Sequence, residues 1–197
     1  MSNLQDLEIE FKYRADTLSS KDFVAYCKKK GGKPFFVSGM DYFYSSVFDN
    51  NAFIRHRIGD DMNQLTYKRK LDAENNVVRV ERNIDLSEST GVDTIEGLCR
   101  DLNFRYNTKI VKRSFVCHFK DHTLSYYVCL DVGGNKLGAF VEVELPEGKN
   151  WKSKEAALQV LEKIERRHKS LQVYPHRRLE KSLYEMFRKD LSNVLCY

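Results

Sequence analysis

The residues with the clearest chemical potential are two Glu-x-Glu pairs near opposite ends of a 197-residue chain, Glu8 and Glu10 in LEIEFKYR and Glu142 and Glu144 in VEVEL. Alternate side chains of a β-strand share a face, and a rise of about 3.3 Å per residue sets two such carboxylates roughly 6.5–7 Å apart at their Cα atoms. Hard oxygen donors at that spacing suit a divalent cation such as Mg2+, which accepts carboxylates together with water and phosphate oxygens. Four glutamates from two segments suffice for one or two ions without His or Cys. Between the acidic pairs lie basic residues: Arg55 and Arg57 in FIRHR, Lys68 and Lys70 in LTYKRK, Arg79 in VVRVER, and Arg113. Guanidinium and ammonium groups hold phosphate oxygens through charge-assisted, often bidentate bonds. Acid and base together describe a polyphosphate site.

These residues must be positioned by strands, because each motif alternates charged with apolar side chains. The stretch 7–13 puts Glu8, Glu10 and Lys12 on one face and Leu7, Ile9, Phe11 and Tyr13 on the other. The same reading fits 54–58, 65–68, 78–81 and 141–145, and further strands are predicted near 41–48, 110–119 and 124–131. That makes about eight. Helices are predicted at 20–30, capped by a Ser and stopped by Gly31-Gly32, and at 92–102 and 153–169. A last apolar stripe through Leu179, Leu183, Met186, Phe187, Leu191 and Leu195 predicts a helix that docks at the C-terminus. Loops are predicted at 48–51, 59–63, 72–76, 133–136 and 146–150, where Gly, Asn and Asp cluster.

The polar strand faces carry Glu, Lys and Arg almost to the exclusion of Ser, Thr, Gln and Asn. Such a face is costly to desolvate unless its charges are paired or wetted, whereas the opposite, apolar faces need cover. The sequence therefore predicts an α+β fold: a closed antiparallel barrel of eight strands, charges inward and helices packed outside. His56 and His118 are expected on the outer faces.

At 42% hydrophobic and 31% charged, with 10 Gly and 3 Pro, the composition excludes disordered and collagen-like classes and fits one domain spanning 1–197. A net charge of +5 is too small to argue for nucleic-acid or membrane-surface binding. No apolar run approaches the roughly 20 residues of a membrane span, and the start MSNLQDLEIE lacks the features of an export signal. Five widely spread cysteines without a C-x-x-C pair are read as thiols in a reducing, cytoplasmic setting. A hairpin turning at 120–123 is expected to set Cys117 opposite Tyr126, out of register with Cys129.

The motifs resemble, in order and over nearly the whole chain, the CYTH superfamily of triphosphate tunnel metalloenzymes, most closely the branch of class IV adenylyl cyclases and thiamine triphosphatases. The Glu-x-Glu-x-Lys signature is Glu8, Glu10 and Lys12; FIRHR, LTYKRK and VVRVER are similar to the basic strands, the last with Arg79 and Glu81; KSLYEMF is similar to the last helix of that branch. The resemblance implies Mg2+ or Mn2+ on Glu8, Glu10, Glu142 and Glu144, and phosphates held by Lys12, Arg55, Arg57, Lys68, Arg79 and Arg113. It also implies supporting roles for Glu81 and Asp131 as further ligands or partners of the basic residues. Family members often place Lys and Arg two apart on the 110–119 strand, but Lys112 and Arg113 are adjacent, so alternation turns only one inward. Arg113 is expected to be that one, and Lys70, Arg82, Lys109 and Lys136 are expected to be exposed charges. The implied activity is a metal-dependent triphosphatase acting on inorganic, nucleoside or other organic triphosphates. The alternatives are an adenylyl cyclase forming cyclic AMP and pyrophosphate, and a non-catalytic polyphosphate or nucleotide binder. The expected partner is a small-molecule triphosphate; extended nucleic-acid contacts are not expected, since neither an RNP-type aromatic strand nor a basic tail occurs. A homodimer is allowed.

Overall fold

The computed structural model describes residues 7–72, 75–146, 151–171 and 178–190. Eight strands close into an antiparallel barrel in the order β1-β5-β4-β3-β2-β6-β7-β8. They are β1 (Leu7–Arg14), β2 (Phe35–Ser46), β3 (Ala52–Gly59), β4 (Met62–Asp72), β5 (Asn75–Asp85), β6 (Phe104–His118), β7 (Thr123–Leu130) and β8 (Lys136–Glu144). The N-terminal strand seals the barrel by pairing on one side with β5, Glu8 opposite Arg79, and on the other with β8, Lys12 opposite Glu142. Strands from both ends of the sequence thereby reach one interior.

Helices cover the apolar exterior. In α1 (Ser20–Lys29), Ser19 accepts a hydrogen bond from the Asp22 backbone N–H at 3.1 Å, and Gly31, at φ 81°, lets the chain leave the helix. Its Phe23 and Cys27 join Ile9, Phe11, Tyr13 and Val141 in the main core, completed by Ala157, Leu161 and Ile164 of α3 (Lys154–Arg167). On the far side Ile95 and Cys99 of α2 (Val92–Asp101) pack on Tyr44 and Ile54. Among the described residues no helix is long and apolar enough to cross a membrane.

The C-terminal segment departs from expectation. Instead of a long helix lying outside, a five-residue α4 (Leu183–Phe187), with a Ser182/Glu185 capping box, packs Leu183 and Tyr184 against the inward residues Phe43 and Phe53. Leu191 and Leu195 lie outside the described residues, as do most of the loops expected at 146–150 and part of that at 72–76. The β6–β7 hairpin sets Cys117 opposite Leu124, not Tyr126, while Cys129 faces Lys112. The two thiols are out of register all the same, and Cys27, Cys99, Cys117 and Cys129 are free and buried.

Candidate functional site

The barrel encloses a cavity of about 650 Å³ with three zones along its axis. At one end Phe43, Phe53, Leu183 and Tyr184 form an apolar floor, with Tyr184 stacked on Phe53 at 4.4 Å between ring centroids. The charged side chains occupy the middle. Phe35, Met62, His118 and Pro146 line the mouth.

Glu8, Glu10, Lys12, Lys68 and Arg79 are all 7% exposed or less, an ionic cluster whose members neutralise one another. Lys68 Nζ lies 2.6 Å from Glu8 Oε1 and 2.7 Å from Glu81 Oε2. Lys12 Nζ lies 3.1 Å from Glu10 and 3.0 Å from Glu142 Oε1. Arg79 reaches Glu10 at 3.4 Å and Glu8 Oε2 at 3.6 Å. Arg55 donates to Thr66 Oγ1 at 3.0 Å and faces Glu81 at 3.9 Å. Charges removed from water are tolerated in this cluster because Glu8, Glu10, Glu81 and Glu142 each meet a base.

The acids respond differently to burial. It raises the Glu142 carboxyl, but Lys12 and Lys112 outweigh it and hold the group well below the usual range, while Tyr127 donates a 2.6 Å hydrogen bond. Burial likewise raises Glu81, and Lys68 and Arg55 bring it down to about 2. Glu144 is the reverse case. Burial, reinforced by the charges of Glu8 and Glu10, pushes its carboxyl well above the usual range.

Several expectations need correction. Lys112, not Arg113, turns inward: Lys112 lines the cavity 3.9 Å from Glu142 with its Nζ 3.7 Å from the Tyr127 ring centroid, whereas Arg113 is exposed on the outer face. The outer face of β6 reads Val111, Arg113, Phe115, Cys117, and Phe115 and Cys117 join the core that Phe23 and Cys27 of α1 complete, so the strand takes this register despite Arg113. His118 shares the inner face and lines the mouth instead of the outside. Asp131 is remote from the cavity, in the β7–β8 turn, where it accepts hydrogen bonds from the backbone and side chain of Asn135 at 2.8 Å. Lys70 is not an exposed charge; its ammonium pairs with Glu185 of α4. His56 does face outward, fully buried, 2.8 Å from Asn63.

Sequence reasoning missed Asp41. It is 1% exposed and grips Arg57 in a bidentate pair, Nε to Oδ1 at 2.5 Å and Nη2 to Oδ2 at 2.7 Å. Burial raises its carboxyl, but Arg57 holds it at about 2. The alternation of Asp41, Phe43 and Ser45 against Tyr42 and Tyr44 carried the signal.

No protein-family model and no curated protein matches the sequence. Solved structures do match it. A conserved hypothetical protein of Pyrococcus furiosus aligns at TM-score 0.70 and 20% identity, over 91% of this chain and 99% of that one. A candidate adenylate cyclase of Vibrio parahaemolyticus aligns at 0.67 and 14%, over 92% and 97%. The chain shares the fold of these proteins, a closed eight-stranded antiparallel barrel. A chain in the Schizosaccharomyces pombe Mediator head module also aligns, at 0.63 and 10% over 88% and 100%, so likeness to this fold does not by itself specify chemistry.

Within this barrel, the four glutamates expected as metal ligands are not equivalent. Glu142 is committed to Lys12, Lys112 and Tyr127. Glu8, Glu10 and Glu144 fit a hard cation: they offer only oxygen, Glu8 Oε2 is buried without a hydrogen-bond partner, and Glu144 makes no ion pair among the described residues. Among the described residues no three His, Cys, Asp or Glu groups already converge on one point. Ligation would therefore draw these carboxylates away from Lys12, Lys68 and Arg79.

Proposed function

We propose that the barrel holds the phosphate chain of a triphosphate in its charged middle zone and hydrolyses it, with Mg2+ or Mn2+ as cofactor. One observation carries this reading: a carboxylate group with too little positive charge around Glu144 and a set of inward cations surround the same enclosed cavity. A lone anion binder has no use for Glu8, Glu10 and Glu144. A lone cation site has no use for Lys12, Arg55, Lys68, Arg79 and Lys112.

In this reading those cations turn from their glutamate partners to phosphate oxygens, fix the chain in line for displacement, and neutralise charge on the leaving phosphate. Arg57, already clamped by Asp41, presents its remaining donor edge from a fixed position. Glu8, Glu10 and Glu144 would hold the divalent ion, which supplies further neutralisation of phosphate oxygens and a more acidic bound water. Arg113 and Asp131 take no part.

A second reading, formation of cyclic AMP and pyrophosphate from ATP, is favoured by the likeness to the Vibrio parahaemolyticus candidate adenylate cyclase. The same grip serves both reactions, which differ in whether water attacks the terminal phosphorus or a ribose hydroxyl attacks the α-phosphorus. Incubation with ATP or inorganic triphosphate and Mg2+ or Mn2+, resolving phosphate, pyrophosphate and cyclic AMP, separates them. Phosphate release lost in Glu8→Gln supports hydrolysis; cyclic AMP supports the second reading. Thermal stabilisation by triphosphate without any product would leave a binding module in place of an enzyme.

A further inference from the structure

The net charge of +5 is unevenly spread over the outside of the barrel. Between Asp22 and Asp41 the chain has no acidic residue, and it carries Lys28, Lys29, Lys30 and Lys33 where α1 ends and leads into β2. Two further basic segments pack against that turn. Lys30 Nζ lies 5.8 Å from the Tyr26 ring centroid, and the Tyr26 hydroxyl meets His168 Nδ1 at 2.9 Å, which brings in Lys169 just past the end of α3. Gly32 sits so close to Cys117 and Phe119 that a Cβ there would strike both, which brings in Lys120 at the tip of the β6–β7 hairpin. All six lysines are exposed, and among the described residues none has an ionic partner; the nearby acid Asp121 is taken by Arg167 at 2.5 Å. Unneutralised ammonium groups held on one surface create a local positive potential that attracts an anionic partner.

An apolar ring stands beside them. Phe36, three residues beyond Lys33, is 52% exposed and propped on Phe115 of the neighbouring strand, with ring centroids 5.3 Å apart. A large exposed ring next to a lysine cluster is unfavourable in water and favourable at the boundary between lipid headgroups and acyl chains. We propose that this face docks on an anionic lipid bilayer, the lysines against the headgroups and Phe36 entering the acyl boundary. Charge and apolar insertion are both needed, since neither alone anchors a protein firmly. A bilayer fits better than a nucleic acid. Lysine is a point charge suited to the diffuse field of a leaflet, and alternation turns Phe35 to the cavity mouth and Phe36 to the outside, so the two rings form no common platform for stacking successive bases.

Co-sedimentation of the full chain with vesicles of phosphatidylcholine, alone or mixed with phosphatidylserine, tests this. Binding should require phosphatidylserine and weaken as salt is raised. Each lysine near an anionic leaflet strengthens binding roughly fivefold, so Lys29→Gln/Lys30→Gln/Lys33→Gln should weaken it by about 100-fold. Lys29→Arg/Lys30→Arg/Lys33→Arg, which keeps the charges, should bind as the unmodified protein does, and unchanged thermal melting of both variants would show that the fold is intact. Phe36→Trp should bind and show emission that moves to the blue on vesicles and is quenched by brominated acyl chains, over the signal of Trp151 that the unmodified protein shares. Equal binding to the two vesicle types, no vesicle binding, full binding by the Gln variant, or an unshifted and unquenched emission would each overturn the proposal. Tighter association with single-stranded RNA than with phosphatidylserine vesicles would overturn it too, assigning the lysines to a nucleic acid.

Discussion

Glu10 and Glu144 stand directly opposite one another across the β1–β8 ladder, with both side chains on the cavity wall. Like charges in that relation oppose strand pairing by up to about 1 kcal/mol, so the metal-free barrel carries a repulsion at its own seam. Glu144→Gln should therefore raise the melting temperature in EDTA by roughly 2–4 °C. Mn2+ should stabilise the unmodified protein and lose most of that effect in the variant. Differential scanning fluorimetry reads both, and a destabilised variant in EDTA would show that Glu144 is held by partners other than a cation.

Lys68 lies between Glu8 and Glu81, and Lys12 between Glu10 and Glu142. A phosphate that takes either ammonium leaves a carboxylate free for a metal, and a metal that takes the carboxylate frees the ammonium. Metal and anion should thus strengthen one another's binding by roughly 5- to 150-fold, the usual range of coupling between sites. Titration of Mn2+ with and without imidotriphosphate, corrected for their complex in solution, measures this. Independent binding would show that the ion pairs persist in the loaded state.

Asp41 and Arg57 form the tightest buried pair in the wall. Asp41→Ala strands the guanidinium, and removing one partner of such a pair costs roughly 3–5 kcal/mol. Urea unfolding should show that loss. Because triphosphate supplies the missing negative charge, it should restore more stability to Asp41→Ala than it adds to the unmodified protein; equal increments would place Arg57 out of reach of the phosphates.

Much of this was legible in the alternation within β1, β3 and β8, where Glu8, Glu10 and Lys12, Arg55 and Arg57, and Glu142 and Glu144 recur at every second position. That pattern gives the barrel, its inward charge and the placement of Glu8, Glu10, Lys12, Arg55, Arg57, Glu142 and Glu144 in one cavity. It fails where apolar side chains face inward. Phe43, Phe53, Ile110 and Phe140 break the rule that apolar means outside, because α4 turns in to meet them at the floor. It fails again on β6, where adjacent Lys112 and Arg113 make the charges uninformative and the packing of Phe115 and Cys117 beneath α1 decides the face. Asp41 escaped because its partner is distant in sequence and its strand is rich in aromatic residues on both faces.

Tyr184 joins the floor to β2: its hydroxyl donates to Ser45 Oγ at 2.8 Å, and its ring stacks on Phe53. Removing the hydroxyl in Tyr184→Phe should cost about 1 kcal/mol. Removing the ring in Tyr184→Ala should cost roughly 3–5 kcal/mol, since it opens a void among Phe43, Phe53 and Leu183. Chemical denaturation distinguishes the two, and a cost for Tyr184→Ala no greater than for Tyr184→Phe would mean that the floor collapses to fill the space.

On the outside of the barrel, His122 and His168 are 3% exposed and approach Nε2 to Nε2 at 2.8 Å. Asp121 takes the His122 Nδ1–H at 2.7 Å, so His122 Nε2 accepts from His168 Nε2–H, and His168 Nδ1 accepts from the Tyr26 hydroxyl at 2.9 Å. This chain of neutral rings ties α1 and α3 to the β6–β7 hairpin. Burial, then the charges of His122, Arg167 and Lys30, depress His168 to about 4 from its ordinary 6.5; burial also lowers His122, opposed by Asp121. The unfolded chain therefore binds a proton at His168 near pH 6.5 that the folded chain refuses until about pH 4, and His122 shifts in the same direction. Stability contributed by the neutral pair is fully present above pH 6.5 and is lost as the pH falls toward 4. Urea midpoints should decline through that window, before Asp41 and Glu81 titrate near 2, and the decline should flatten in His122→Gln/His168→Gln. A slope that survives the double substitution would assign the acid sensitivity to other groups.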